Sequence, residues 1–145
     1  MAADKNVKVT WRGDLATGKG TVESVGSGAF GPLDVSWPAR TGDEEGMTSP
    51  EELIAAAHAS CFSMALSNGL SGMGNPPESL AVSATVTFVP GTGITRSALD
   101  VVGVVPGIDD GVFREAADRA KEDCPVSMAM QGNVVISVNA RLAGP

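Results

Sequence analysis

Apolar and polar residues alternate through Val7-Lys8-Val9-Thr10-Trp11, again through 20–25 and again through 30–37, and turns rich in Gly, Asp and Lys separate the three runs. A period of two marks a strand with one buried face, so the first part of the chain is predicted to form an antiparallel three-strand meander. Residues 38–48, with Gly42, Gly46 and a run of acidic and hydroxyl side chains, predict an irregular loop. The pattern then changes at Ser49-Pro50-Glu51-Glu52, where Ser49 can cap a helix, Pro50 suits its first position and Glu52 completes a capping box. The stretch LIAAAHASCFSMALSNGL that follows is apolar on almost every face. It predicts a central helix buried on most sides, with Ala and Ser permitting close approach by a neighbouring element.

Gly72, Gly74, Pro76 and Pro77 end that helix, and alternation returns at 80–89 and 94–105 around a Pro90-Gly91-Thr92-Gly93 turn, which predicts a hairpin. Asp109 and Asp110 can start a helix to about Glu122, with Val112, Phe113, Ala116, Ala117 and Ala120 on one face. A short helix is expected from Cys124-Pro125, and 134–142 alternates once more as a last strand. The expected order is therefore βββ-α-ββ-α-α-β, an α+β fold of mostly antiparallel strands around a long buried central helix. No repeat or linker divides it, so residues 1–145 are expected to form one domain.

Composition narrows the partners. A net charge of −7, with acidic residues in short clusters at 43–45, 51–52 and 122–123, argues against binding nucleic acid through clustered Lys and Arg. The opening MAADKNVKVTW has no apolar stretch of signal-peptide length, and apolar runs such as 53–57 are too short for a bilayer, so a soluble, cytoplasmic protein is expected. In that reducing compartment, two cysteines without CxxC or Cys/His spacing read as free thiols, not as a structural bridge or a zinc site.

Cys61 sits in the middle of the apolar helix, too far from its N-terminus to gain from the helix dipole. Burial alone raises a thiol pKa, so reactivity there requires a nearby cation. His58, the only histidine, lies three residues earlier and offers a Cys–His nucleophile pair, against the plainer reading of a hydrogen-bonded structural residue. Cys124 can sit at a helix N-terminus, where thiol pKa values fall, although Glu122 and Asp123 oppose that. Local physics leaves open which cysteine attacks first.

The stretch TSPEELIAAAHASCFSMAL at 48–66, together with Asp123-Cys124-Pro125-Val126-Ser127, resembles the two cysteine-bearing motifs of the OsmC/Ohr peroxidase family. The resemblance extends in one register to Trp11-Arg12-Gly13-Asp14, to 18–22, to 105–109 and to the last strand, and it favours the OsmC branch. It implies an OsmC-like fold assembled as an intertwined homodimer. It also implies a peroxidatic Cys61, a resolving Cys124, an Arg40 that stabilises the thiolate and a Glu51 that orients the arginine, with Arg12 the other arginine that can take that place. Ten residues of helix separate Glu51 from Cys61, about 15 Å of rise, so Glu51 cannot reach that sulfur along a straight helix. Either the helix entry folds back sharply or a second copy supplies the carboxylate, and the nearly all-round apolar helix favours the second copy.

The chemistry so implied is reduction of organic hydroperoxides, and more weakly hydrogen peroxide, through a Cys61 sulfenic acid and a Cys61–Cys124 disulfide that an external dithiol of lipoyl or thioredoxin type reopens. No metal or organic cofactor is implied. Phe62, Met64 and Met128 are candidate apolar walls of the substrate site, or ordinary core residues. The competing readings are a Cys61/His58 thiol hydrolase and a non-enzymatic redox or stress-response binding protein.

Overall fold

The computed structural model describes residues 1–42 and 45–144, so Asp43 and Glu44 of the first acidic cluster lie outside the described residues. The chain divides into two compact units, Met1–Leu53 and Ile54–Pro145.

In the first unit, β1 (Val7–Arg12), β2 (Lys19–Val25) and β3 (Leu33–Val35) form the expected antiparallel meander in the order β1-β2-β3. The Asp14 carboxylate makes the first turn by accepting the Thr17 N–H at 2.9 Å and the Thr17 hydroxyl at 2.8 Å, a local bond that Asp favours outside helices. Gly20 pairs with Trp11 and with Val35, and a Cβ there would lie 2.8 Å from each of those side chains, so a glycine is needed beneath the Trp11 ring.

The third strand is shorter than its alternation suggested, and 38–48 is not wholly irregular. A short helix, α1 (Trp37–Thr41), takes up the residues after β3. The Ser36 hydroxyl caps it by accepting the Ala39 N–H at 3.1 Å, with Pro38 in its first turn. The same Ser and Pro signals open α2 (Pro50–Gly72), where the Ser49 hydroxyl accepts the Glu52 N–H at 3.2 Å. Five residues are too few to show a helical period, which is why only the longer helix was legible.

In the second unit, β4 (Ser79–Val89), β5 (Gly93–Val104) and β6 (Val135–Leu142) form a sheet in that order. The pairing of β4 with β5 is antiparallel, as expected, while β6 lies parallel to β5. A parallel neighbour needs a long crossover, and α3 (Asp110–Asp123) with α4 (Pro125–Met130) supplies it. The Asp109 carboxylate caps α3 by accepting the Val112 N–H at 2.9 Å. Phe113, Ala116, Ala117 and Ala120 of α3 are buried with Leu99, Val101 and Ala140 of the sheet. Gly103 gives the Phe113 ring its place, since a Cβ at that position would lie 2.5 Å from the ring.

From α2 a single stripe enters this core: His58, Phe62, Leu66 and Leu70, at successive steps of four, are all fully buried. Full burial of Phe62, Leu66 and Leu70 stabilises the unit by about 1.5–3 kcal/mol each relative to exposure. Beside this stripe Cys61 and Ala65 are partly buried against the core, and other positions of α2 stay exposed. Met64 is 72 % exposed, and only 22 % of the most apolar 18-residue window is buried. Burial on most sides is therefore not reached by one chain alone. The 23 residues of α2, with a mean hydropathy of 1.3 over that window, also meet the length and composition of a membrane span, which short apolar runs had hidden. Its buried histidine and its stripe packed on a sheet are those of a core helix.

Candidate active site

The second unit brings the two cysteines together. Cys61 projects from α2 at the edge of the core and is partly exposed, whereas Cys124 is fully buried at the junction of α3 and α4. The backbone pins Cys124 from both sides: its N–H donates to the Ala120 carbonyl at 2.9 Å, and its carbonyl accepts the Met128 N–H at 2.9 Å. The Cys124 thiol and the Val126 N–H from the first turn of α4 lie near enough to the Cys61 sulfur to act on its ionisation. That N–H has no partner within its own helix, because the first four donors of any helix are left over.

Burial pushes the Cys61 thiol up; the Val126 N–H pulls it down, and the neighbouring Cys124 thiol pushes it up again. These groups all belong to the second unit, and none is a cation. Within this environment Cys61 is held as a thiol, so its ionisation needs a positive charge from elsewhere.

His58, one turn before Cys61, is fully buried and does not serve as that partner. Its Nδ1 pairs with the Ser97 hydroxyl at 2.6 Å and its Nε2 with the Ser127 hydroxyl at 2.8 Å. Burial lowers the imidazole pKa, so the ring is neutral, with one nitrogen donating to a serine and the other accepting from the second. Ser97 and Ser127 were not singled out from the sequence. Ser97 did carry a signal, being a polar residue on the inward parity of β5 shared with Leu99 and Val101. Ser127 carried another, as the last residue of the Cys124-Pro125-Val126-Ser127 motif.

The first unit brings Arg40 and Glu51 together. Arg40 Nε and Nη2 both donate to Glu51 Oε1, at 2.9 and 2.8 Å, and the guanidinium lies 5.9 Å from the centre of the Trp37 ring. Glu51 is 7 % exposed, and among the described residues its Oε2 has no hydrogen-bond partner. Arg12 stands apart from this pair, exposed at the end of β1 opposite Lys19, where its charge acts on Glu23. Of the three candidate wall residues, Phe62 is wholly in the core, while Met64 and Met128 are exposed at 72 % and 59 %. Among the described residues no cluster of three or more His, Cys, Asp or Glu side chains could hold a metal ion.

The sequence matches the family model for OsmC-like protein over residues 42–139. It is 40 % identical over 139 residues to Peroxiredoxin OsmC of Escherichia coli (strain K12), covering 94 % of this chain and 96 % of that protein. It is 30 % identical over 140 residues to the organic hydroperoxide resistance protein of Xanthomonas axonopodis pv. citri, covering 95 % and 98 %. Among solved structures, the organic hydroperoxide resistance protein OhrB of Bacillus subtilis superposes with a TM-score of 0.70 at 27 % identity, covering 94 % of this chain and 98 % of that one. With the motif cysteines close together and the match running through nearly the whole length, the chain belongs to the OsmC-like family.

Proposed function

We infer that this protein is a thiol peroxidase that reduces organic hydroperoxides to alcohols at Cys61. The observation that carries the reading is the proximity of a partly exposed Cys61 to a fully buried Cys124, in a chain whose relatives are named for peroxide chemistry. A bulky hydroperoxide must reach the first sulfur, and Cys61 is the accessible one. Its thiolate attacks the terminal peroxide oxygen, the O–O bond breaks, and the alkoxide leaves and takes a proton to become the alcohol. Cys61 is left as a sulfenic acid. Cys124 then displaces its hydroxyl as water, and the resulting disulfide is reopened by an external dithiol, of lipoyl or thioredoxin type, in the reducing cytoplasm.

The cation this cycle needs is assigned to Arg40, oriented by Glu51. On the unbroken α2, Glu51 and Cys61 are ten residues apart, about 15 Å of rise, so the pair acts on the sulfur of a second copy. The uncovered apolar faces of α2 support the same assembly, a homodimer that buries what one chain leaves open. Both His58 nitrogens are engaged by serines and neither by Cys61, which counts against a Cys61/His58 hydrolase.

The test is consumption of cumene hydroperoxide with a dithiol donor by the wild type, Cys61→Ser and Cys124→Ser. Turnover is expected only in the wild type, with a trappable sulfenic acid at Cys61 persisting in Cys124→Ser. Sulfenate trapped at Cys124, or turnover surviving loss of Cys61, contradicts the assignment. A native mass equal to one chain contradicts the homodimer.

A further inference from the structure

We propose that His58 is a positioning residue: clamped between Ser97 and Ser127, it holds the first turn of α4 so that Cys124 faces Cys61 and closes the disulfide. This rests on the peroxidase reading for the identity of the oxidant, and on geometry for the rest.

The geometry is a docking at two points with matched spacing. On α2, His58 and Cys61 are three residues apart and share a face. Across from them, Cys124 and Ser127 are also three residues apart, spanning the first turn of α4. His58 Nε2 meets the Ser127 hydroxyl at 2.8 Å, while the Cys61 sulfur lies near the Cys124 thiol and the Val126 N–H. The histidine contact and the cysteine approach are thus adjacent rungs between the same two elements. The ring cannot swing about the helix axis, because the other nitrogen is fixed to Ser97 of β5 at 2.6 Å.

This anchor matters because α4 is short and, besides the partly buried Val126, has little apolar packing to hold it. The helix is six residues long, and Ser127 is its one buried side chain. Beyond Ser127 lies a cavity of about 160 Å³, lined by Lys121, Met128, Gln131 and Ile136 among others, so apolar packing does not fix α4 on that side. Beside the apolar packing of Val126, its inward contact at Ser127 is polar and directional, and a hydrogen bond of that kind specifies orientation more sharply than a loose apolar surface does. Bond formation requires the two sulfurs to close to about 2.05 Å with the correct dihedral, and misplacement of a reacting group by about 1 Å can cost two orders of magnitude in rate.

The step itself is Cys61–SOH plus the Cys124 thiol giving the Cys61–Cys124 disulfide and water. The clamp bears on this closure more than on the preceding attack by the Cys61 thiolate on peroxide, which does not use Cys124 and feels the first turn of α4 only through the Val126 N–H, so the ratio of the two rates carries the test. Both rates are measurable in one protein by rapid mixing with cumene hydroperoxide, sulfenate formation by dimedone capture and closure by appearance of the disulfide in quenched samples.

Ser127→Ala, a small change that leaves the histidine in the core, is expected to lower the ratio of closure to formation about tenfold and to lengthen the life of the sulfenic acid correspondingly. His58→Gln, whose amide carries both a donor and an acceptor, is expected to fall between Ser127→Ala and the wild type. Ser127→Thr, which keeps the hydroxyl, restores the ratio. An unchanged ratio in Ser127→Ala overturns the proposal, whether the two rates stay at wild-type values or fall in parallel as a general loss of structure would make them.

The same closure can be driven without peroxide. The Cys61 thiolate attacks glutathione disulfide, keeping one glutathionyl half and releasing the other as glutathione, and Cys124 then displaces the bound half as a second glutathione, forming the same bond. If the wild type fails to form sulfenate with hydroperoxide, the peroxidase reading falls while this arm still tests the clamp. Slowed release of the second glutathione in Ser127→Ala supports the clamp, and its release at the wild-type rate sinks it.

Discussion

Replacing Glu51 with Gln keeps the shape of the side chain and removes its charge, which isolates what the carboxylate does for Arg40. In the native chain, two guanidinium N–H groups converge on one oxygen at 2.9 and 2.8 Å. Hydrogen bonds to charged groups are worth about 1.5–3 kcal/mol each, and breaking a buried ion pair can cost more. The Arg40 side chain is 29 % exposed, against 9 % for Glu51, so water recovers part of the loss on the arginine side. The expected loss of stability is therefore about 1–3 kcal/mol, with the new amide donors adding to it because Oε2 already lies buried without a partner among the described residues. For catalysis, an arginine released from its anchor spends most of its time away from the sulfur. Since about 1.4 kcal/mol corresponds to a factor of ten, kcat/KM for cumene hydroperoxide should fall about 10- to 100-fold. Arg40→Lys, which offers a point charge without the fork, should fall into the same range. The assay pairs steady-state peroxide consumption with urea unfolding and native mass. A Glu51→Gln protein that keeps its assembly and shows wild-type kcat/KM refutes the orienting role.

Two further outcomes follow from packing and burial in the second unit. Gly103→Ala puts a Cβ 2.5 Å from the Phe113 ring, so urea unfolding should show a loss of about 1–3 kcal/mol as α3 is pushed off the sheet, and a neutral result would mean that the ring moves freely. The pKa of His58 is lowered by burial, so as pH falls the unfolded chain takes up its proton first and the native state loses stability below about pH 6.5. That slope, at most about 1.4 kcal/mol per pH unit for one group, should be absent from His58→Gln when stability is measured across the same range.

How much of this was legible in the sequence depends on whether the signal was local. Ser49-Pro50 and Asp109 announced their helices through side chains that bond within three residues, and the structure shows those caps. Strands were visible wherever alternation ran for five residues or more, whereas α1 was too short to show a period. The parallel pairing of β6 with β5 has no local signature, since it is decided by the crossover that α3 and α4 make. At the site, the sequence placed both cysteines and raised the choice between a reactive and a structural His58. Only the three-dimensional arrangement shows Ser97 and Ser127 occupying both of its nitrogens. The pairing of Arg40 with Glu51 was expected from family resemblance alone, because they stand eleven positions apart with a change of element between them. The exposed face of α2 could not be read from composition, which records how apolar a helix is and not what covers it.

The account turns on a guanidinium keeping Cys61 ionised although its own unit raises its pKa. In Cys124→Ser, Cys61 is the sole cysteine, so the ultraviolet absorbance of the thiolate titrates that group alone in the native assembly. A midpoint below about pH 7.5 that moves up in the additional variant Arg40→Ala is the predicted result. A midpoint at or above the ordinary thiol value of about 8.5, unmoved by loss of Arg40, contradicts it.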